Sequence, residues 1–248
     1  MGNSNEFIEP RITLKSMDVY VLRSGIFAAV KEASSILKGT LLDVGCGQMP
    51  YRDMILSQGK VSRYIGLDLQ YNPVYRNRPD ITWDGISIPL QENSADCALA
   101  TEVLEHSPNP EKVFEEIFRI LKPGGVFFFT VPFLWPLHNV PYDQYRFTPF
   151  ALARHIENAG FEDFRLKPLG GWDKSLAQMI GLYVRRRPMS RLMKFLLSFM
   201  AFPLVFFLSR RRKMKHFFDG EKRIGRIFIE NFMYTGICGI AYKTKVIK

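Results

Sequence analysis

The apolar run Thr40-Leu41-Leu42-Asp43-Val44 breaks abruptly into Gly45-Cys46-Gly47. A strand that ends in such a turn can bring backbone amides close to a ligand, because glycine admits conformations closed to other residues. A second apolar run, Arg63-Tyr64-Ile65-Gly66-Leu67-Asp68, also ends in an acid, and Asp96-Cys97-Ala98-Leu99-Ala100 reads as a later strand. Helix patterns fill the gaps. One covers 16–37 and stops at Gly39. The next starts at Asn109-Pro110-Glu111, which supplies a capping side chain, a proline at the first helical position and an acid in the first turn. That helix carries Val113, Phe114, Ile117, Ile120 and Leu121 on one stripe and stops at Lys122-Pro123-Gly124-Gly125. Val126 to Val131 follows, apolar on both faces as buried parallel strands are. Thr148-Pro149 opens a further helix that runs to Gly160, Phe161 to Lys167 is the next strand, and Gly236 to Lys243 the last. Strands alternating with helices of this length predict a doubly wound α/β sheet with its ligand beyond the carboxyl ends of the strands.

The glycine turn narrows the ligand. A dinucleotide fingerprint needs a third glycine at position 50, where Pro50 stands. Asp43 lies two residues before Gly45, and a carboxylate there suits a cation better than a pyrophosphate. Asp68 is placed to accept hydrogen bonds from the two hydroxyls of a ribose. A cationic ligand with a ribose and no phosphate points to S-adenosylmethionine.

The segments LLDVGCGQMPY, YIGLDL, TEVLEHSPNPEKVFEEIFRILKPGG, VPFLWPLHNVPYDQYRFTPFAL and ENAGF, in this order, resemble the class I S-adenosylmethionine-dependent methyltransferases, in particular a bacterial type 11-like group. The resemblance covers about Leu41 to Phe161. It implies a mostly parallel, seven-stranded Rossmann-like sheet formed by 1–171 and 224–248, with a core over 40–168 and S-adenosylmethionine as cofactor. Met49 stands where the family has its third loop glycine. Carried over, Asp43 would sit near the methionine ammonium, and Gly45, Cys46 and Gly47 would line the cofactor. Asp68, with Leu69 beside it, would hold the ribose. Asp84 and Gly85 would meet the adenine, with Trp83 or Ile86 against the ring. Glu102 would face the methionine end or the substrate. Glu105 is assigned to helix packing or capping.

Methyl transfer to a hydroxyl gains from a nearby base. His138 and His106, each following a strand on the ligand side, are the candidates, with His138 favoured because an aromatic loop surrounds it. In that loop Tyr142, Asp143, Tyr145 and Arg146 are candidate substrate contacts. Arg146 suits an anionic group, while Asp143 suits orienting His138 or pairing with Arg146. The competing reading has Asp143, Tyr145 and Arg146 fixing the loop internally. The histidines look isolated and no cluster has ligand spacing, so no metal site is expected. Cys46, Cys97 and Cys238 are too far apart and too few for a disulfide framework.

Charge is the remaining signal. The formal net charge is +10, from 34 basic and 24 acidic residues, and 185–223 alone holds twelve of the former and two of the latter. The rest of the chain is neutral, so the charge belongs to one device within a helical insertion at 172–223. There Arg185-Arg186-Arg187 and Arg210-Arg211-Arg212-Lys213 flank a 14-residue uncharged block, Phe195 to Leu208. As a helix this block reaches about 21 Å, short of the roughly 30 Å hydrocarbon core, and Pro203 should kink it. Nucleic-acid surfaces interleave aromatics with basic residues, which this segment does not. Contact of 185–215 with an anionic membrane, a buried dimer interface and a substrate cover are the readings left, the first being favoured. The N-terminus has no secretory pattern, and a cytoplasmic chain peripheral to the membrane is expected. Its acceptor would be a surface-glycan precursor or lipid-linked molecule, methylated on oxygen. A quinone-type lipid, RNA, or a non-catalytic cofactor-binding role beside a partner subunit are the alternatives. The oligomeric state is left open.

Overall fold

The computed structural model describes residues 5–70, 78–210, 223–224, 227–228 and 233–244. Helices α1 (Asn5–Ile8) and α2 (Tyr20–Ala33) precede β1 (Gly39–Val44), α3 (Arg52–Leu56), β2 (Val61–Leu69), β3 (Ile81–Trp83) and β4 (Ala95–Thr101). Then come α4 (Pro110–Ile120), β5 (Leu121–Pro132), α5 (Pro149–Asn158), β6 (Asp163–Leu169), α6 (Trp172–Arg186), α7 (Arg191–Arg210), the two-residue strands β7 (Arg223–Ile224) and β8 (Ile227–Phe228), and β9 (Gly236–Tyr242). The sheet order is β3-β2-β1-β4-β5-β9-β6-β8-β7. Seven strands form the expected Rossmann-like sheet, parallel except for β9, which runs antiparallel to both β5 and β6. The pair β8 and β7 adds a short edge beyond β6.

Strand parity divides the core. Phe127 and Phe129 of β5 join α4 and α5 residues Phe114, Ile117, Leu152 and Ile156 on one side of the sheet. Val126 and Phe128 join α2 and α3 residues Ile26, Val30 and Ile55 on the other. A strand covered on both faces has no polar alternation, which is why Val126 to Val131 is apolar throughout. The helix starts follow their caps: Asn109 accepts a hydrogen bond from the Lys112 amide at 3.1 Å, and Thr148 from the Ala151 amide at 3.2 Å. The first long helix is shorter than expected, because turns occupy the residues flanking Tyr20–Ala33. The Lys122-Pro123-Gly124-Gly125 stop lies inside β5, whose first residue, Leu121, already pairs with Ala95. Cys46, Cys97 and Cys238 are buried free thiols.

The insertion is a pair of helices. Ala177 and Val184 of α6 and Val205 and Leu208 of α7 pack with Met17 and Val21 of the N-terminal segment. Arg186 Nε donates to Asp18 at 2.7 Å, Gln178 Nε2 donates to the Asp18 carbonyl, and the Arg186 guanidinium lies over the Trp135 ring at 5.7 Å. The insertion therefore reaches the loop after β5. The estimate of helix length needs correction: α7 has 20 residues, not 14, because Arg191, Lys194 and Arg210 extend it, and it continues through Pro203. At 1.5 Å per residue that is about 30 Å. By length and composition alone it is apolar enough to cross a membrane, with a mean hydropathy of 2.0. The basic residues Arg211, Arg212, Lys213, Lys215 and Lys222 lie outside the described residues.

Packing makes a stability prediction. Phe114, fully buried between β5 and α5, should cost about 3–5 kcal/mol as Phe114→Ala, and Asn109→Ala about 1 kcal/mol through loss of its cap. Phe150→Ala, on an exposed side chain, should stay within about 0.5 kcal/mol. Urea unfolding of the three variants checks the ranking.

Candidate active site

The loop after β1 is held by its backbone. Gly45 and Cys46 both donate to the Leu67 carbonyl, at 2.7 and 3.0 Å, and Gly47 donates to Asp68 Oδ2 at 2.8 Å. Gly45 sits at φ +67°, and a Cβ there would strike Val103 at 2.5 Å, so glycine is required by conformation and by space. Met49, in the place of the missing third glycine, itself takes φ +52°. Its thioether instead covers Gly66 alongside Cys46, and Arg52 contacts the sulfur at 3.3 Å. The loop keeps the glycine-like turn while a side chain fills the gap.

Asp43, near the end of β1, is almost completely buried and accepts a hydrogen bond from the Tyr64 hydroxyl. Burial pushes its carboxyl up to about 7 against the pull of Tyr64, and the charge of Asp68 adds to the rise. Asp68 is buried too, its Oδ1 accepting from the Leu69 amide at 2.8 Å, while the Leu69 side chain is exposed. Leu69 pairs with Trp83 across β2 and β3, and lies beside Gly85. Asp84 is exposed and closes a turn, its Oδ1 accepting from the Ile86 and Ser87 amides at 2.8 Å each, which holds its carboxyl below the usual range. Trp83 packs into the core, whereas Ile86 stays exposed beside this turn.

Glu102 follows β4 at φ +55°, its amide bonded to the Thr130 carbonyl and its carboxylate accepting the Thr130 hydroxyl at 2.9 Å. Burial raises it to about 7, with Thr130 and Arg146 opposing. Glu105 lies in the single turn Leu104–His106 and is completely buried. Burial first, and then the charge of Glu102, push its carboxyl well above the usual range. Glu105 is packed away from solvent but caps no helix, since neither carboxylate oxygen has a hydrogen-bond partner among the described residues.

The loop after β5 is stitched to that turn. The Gln144 and Tyr145 amides donate to the Glu105 carbonyl at 2.9 and 3.2 Å. Asp143 Oδ2 accepts from the His138 amide at 3.1 Å and ring Nδ1 at 3.0 Å, and Arg146 bonds both Asp143 oxygens at 2.6 and 2.7 Å. Burial alone would raise Asp143, but the Arg146 and His138 hydrogen bonds outweigh it and hold the carboxyl at about 2. Arg146 also donates to the carbonyls of Trp135, Pro136 and Tyr145. Of the two arrangements open in sequence the loop takes the internally bonded one, with Asp143, whose side chain is only 1% exposed, orienting His138 and pairing with Arg146. Tyr145 stacks on Phe147 and donates to the Pro108 carbonyl, leaving the exposed Tyr142 as the candidate open to an acceptor. The histidines are not isolated: the His106 and His138 rings meet edge to face, with centroids 4.7 Å apart.

Sequence reasoning missed Tyr64, Thr130 and the buried Glu105. Tyr64 could be found only from register, since Asp43 pairs with Gly66, two residues further along β2 on the same face.

An acid-rich floor at the carboxyl ends of β1 and β4, a glycine turn above it and an exposed apolar shelf at Leu69 and Ile86 fit a cationic nucleoside. A family described as a methyltransferase domain matches residues 42–129. These residues carry a class I S-adenosylmethionine-dependent methyltransferase domain. The chain is similar to an uncharacterised methyltransferase of Mycobacterium ulcerans, 27% identical over 195 residues that cover 70% of this chain and 75% of that relative. A Mycobacterium bovis methyltransferase is 33% identical over 133 residues, 49% of this chain and 51% of the relative, so the chain spans about half the length of that protein. Among solved structures, Haemonchus contortus phosphoethanolamine N-methyltransferase 2 in complex with S-adenosyl-L-methionine has a TM-score of 0.54 at 15% identity, covering 99% of this chain and 60% of the other. The [4+2]-cyclase SpnF has a TM-score of 0.52 at 17% identity, covering 91% and 83%. Likeness to a cyclase and a methyltransferase alike shows that this fold alone does not name the reaction.

With Asp43 near the methionine ammonium, as the family resemblance implies, its raised carboxyl is expected to make cofactor binding pH-dependent. Only the ionised carboxylate attracts a cation, and a carboxyl at about 7 is progressively protonated below that pH. S-adenosylmethionine affinity is expected to fall as pH drops from 8 to 6, with protons released on binding near pH 6.5. Asp43→Asn should weaken binding at pH 8 and release fewer protons, as read by calorimetry in buffers of different ionisation enthalpy.

Proposed function

We propose that this methyltransferase works at the cytoplasmic surface of an anionic membrane and O-methylates a lipid-linked acceptor such as a surface-glycan precursor. One observation carries the reading: the two inserted helices turn their large apolar side chains outward. Trp172, Leu176, Met179 and Tyr183 form an exposed stripe along α6, and Leu192, Phe195, Phe199, Met200, Leu204 and Phe207 are exposed on α7. Ser175, Gln178, Ser198 and Ser209 are instead buried, the reverse of a water-facing helix. An exposed apolar surface of this extent marks a binding face, and the arginines at its ends suit anionic head groups. Arg186, stacked on Trp135, ties this face to the loop that carries His138, so an acceptor held in the membrane would lie near the site.

When bound, S-adenosylmethionine supplies an electrophilic methyl group. The chain has to hold an acceptor oxygen in line with it and take its proton. Asp143 holds His138 Nδ1, which leaves the other ring nitrogen to receive a hydroxyl proton. Glu102, braced by Thr130, is placed at the end of β4 for the cofactor's methionine end or the acceptor.

The full chain should sediment with anionic vesicles at low salt, and less as salt rises. Leu196→Asp with Phe199→Asp should lower partitioning by roughly tenfold or more, from the loss of apolar burial. Absence of binding to anionic vesicles at low salt would overturn the membrane reading. Radiolabelled methyl should enter a lipid extract; label found in an RNA fraction instead would overturn the acceptor class.

A further inference from the structure

We propose that Glu105, His106 and His138 form a site for one divalent transition-metal cation of the zinc class. One ligand atom from each of the three lies within 4.8 Å of the others, and Glu105 Oε1 is 3.7 Å from His106 Nε2. Tetrahedral bonds of about 2.0–2.1 Å need ligand atoms about 3.4 Å apart, so a cation closes the group by an ångström or so. Two imidazoles with one carboxylate form a donor set that suits zinc and its neighbours better than magnesium or calcium.

Two independent observations point to a ligand. Glu105 is completely buried, and both of its oxygens lack a hydrogen-bond partner among the described residues. A buried polar group without a partner is costly, and a cation between Glu105 and the histidines supplies one. Both imidazoles are also oriented from behind. His106 Nδ1 lies 3.2 Å from the Tyr142 carbonyl and His138 Nδ1 lies 3.0 Å from Asp143 Oδ2. Each acceptor takes a proton from Nδ1, which leaves the lone pair on Nε2. Metal-binding histidines are held in this way, their far nitrogen bonded to a carbonyl or carboxylate. The hydrogen bonds from the Gln144 and Tyr145 amides to the Glu105 carbonyl hold the two ligand-bearing segments together before any cation arrives. Glu102, Glu105 and Asp143 against Arg146 leave the surroundings acidic.

Three protein ligands leave a coordination position open, as in catalytic zinc sites. An acceptor hydroxyl there would be polarised directly and would give its proton to solvent water; with the cation bound His138 is a ligand, and its use as the base belongs to the cation-free chain. That use rests on the hydroxyl-acceptor reading; the metal site does not.

The test needs no acceptor. The full chain, stripped with chelator and dialysed against Zn2+, should retain one zinc per chain by elemental analysis, and Co2+ should give the intense visible bands of a four-coordinate ion. His106→Ala and His138→Ala should each weaken zinc binding at least tenfold, Glu105→Gln likewise, and Asp143→Asn by about 10–100-fold through loss of the support behind His138. Retained S-adenosylhomocysteine binding shows that each variant is folded. No stoichiometric zinc in the wild-type chain, or uptake unchanged in folded His106→Ala and His138→Ala, would overturn the proposal. If zinc binds but no label reaches the lipid extract, the acceptor reading fails and the metal site stands.

Discussion

Carboxylates gathered where water has little access shape the whole ligand-facing end of this sheet. Asp43 lies one residue before the end of its strand, next to the glycine turn, and Glu102 and Glu105 follow the strand beside it. Burial raises all three. Each proton they hold is one that a cation can displace, so the apoprotein stores an attraction for positive charge that it cannot express in its own packing. Tyr64 and Thr130 lend a hydroxyl each to Asp43 and Glu102, which keeps those carboxyls near neutrality. Glu105 has no such help and rises further.

The sheet makes that concentration tolerable. β5 is buried on both faces and flanked by β4 and β9, so the strand ends are held by two apolar layers and the acids sit at their rim. The loop after β5 gains its shape from a single buried ion pair. Asp143 receives both arms of Arg146 and, through the same carboxylate, the amide and ring of His138. A buried ion pair contributes little net stability; here its effect is orientation, because one carboxylate sets the direction of the imidazole and the path of the loop.

Much of this was legible from residue patterns. The caps at Asn109 and Thr148, the strand before Gly45 and the doubly apolar strand from Val126 depend on local rules and appear where those rules put them. Local rules failed where two distant segments meet. Arg146 leaves two readings open in sequence, an anion contact or an internal lock, and only the fold decides for the lock, through Asp143 and the carbonyls ten and eleven residues back. His106 and His138 look solitary because 32 positions separate them, and only the adjacency of β4 and β5 brings their rings to 4.7 Å. Glu105 reads as a helix acid because a short turn and a cap look alike in sequence.

The sequence by itself determined the order of strands and helices, the glycine turn with its preceding acid, and the confinement of the excess charge to one segment. All three follow from short-range patterns of polarity and backbone freedom. Tertiary structure alone decided which acids lose their water, which arginine is already engaged, and which faces of α6 and α7 point outward. Those properties depend on what packs against each side chain, and desolvation and pairing are set by neighbours that the chain brings from far along its length.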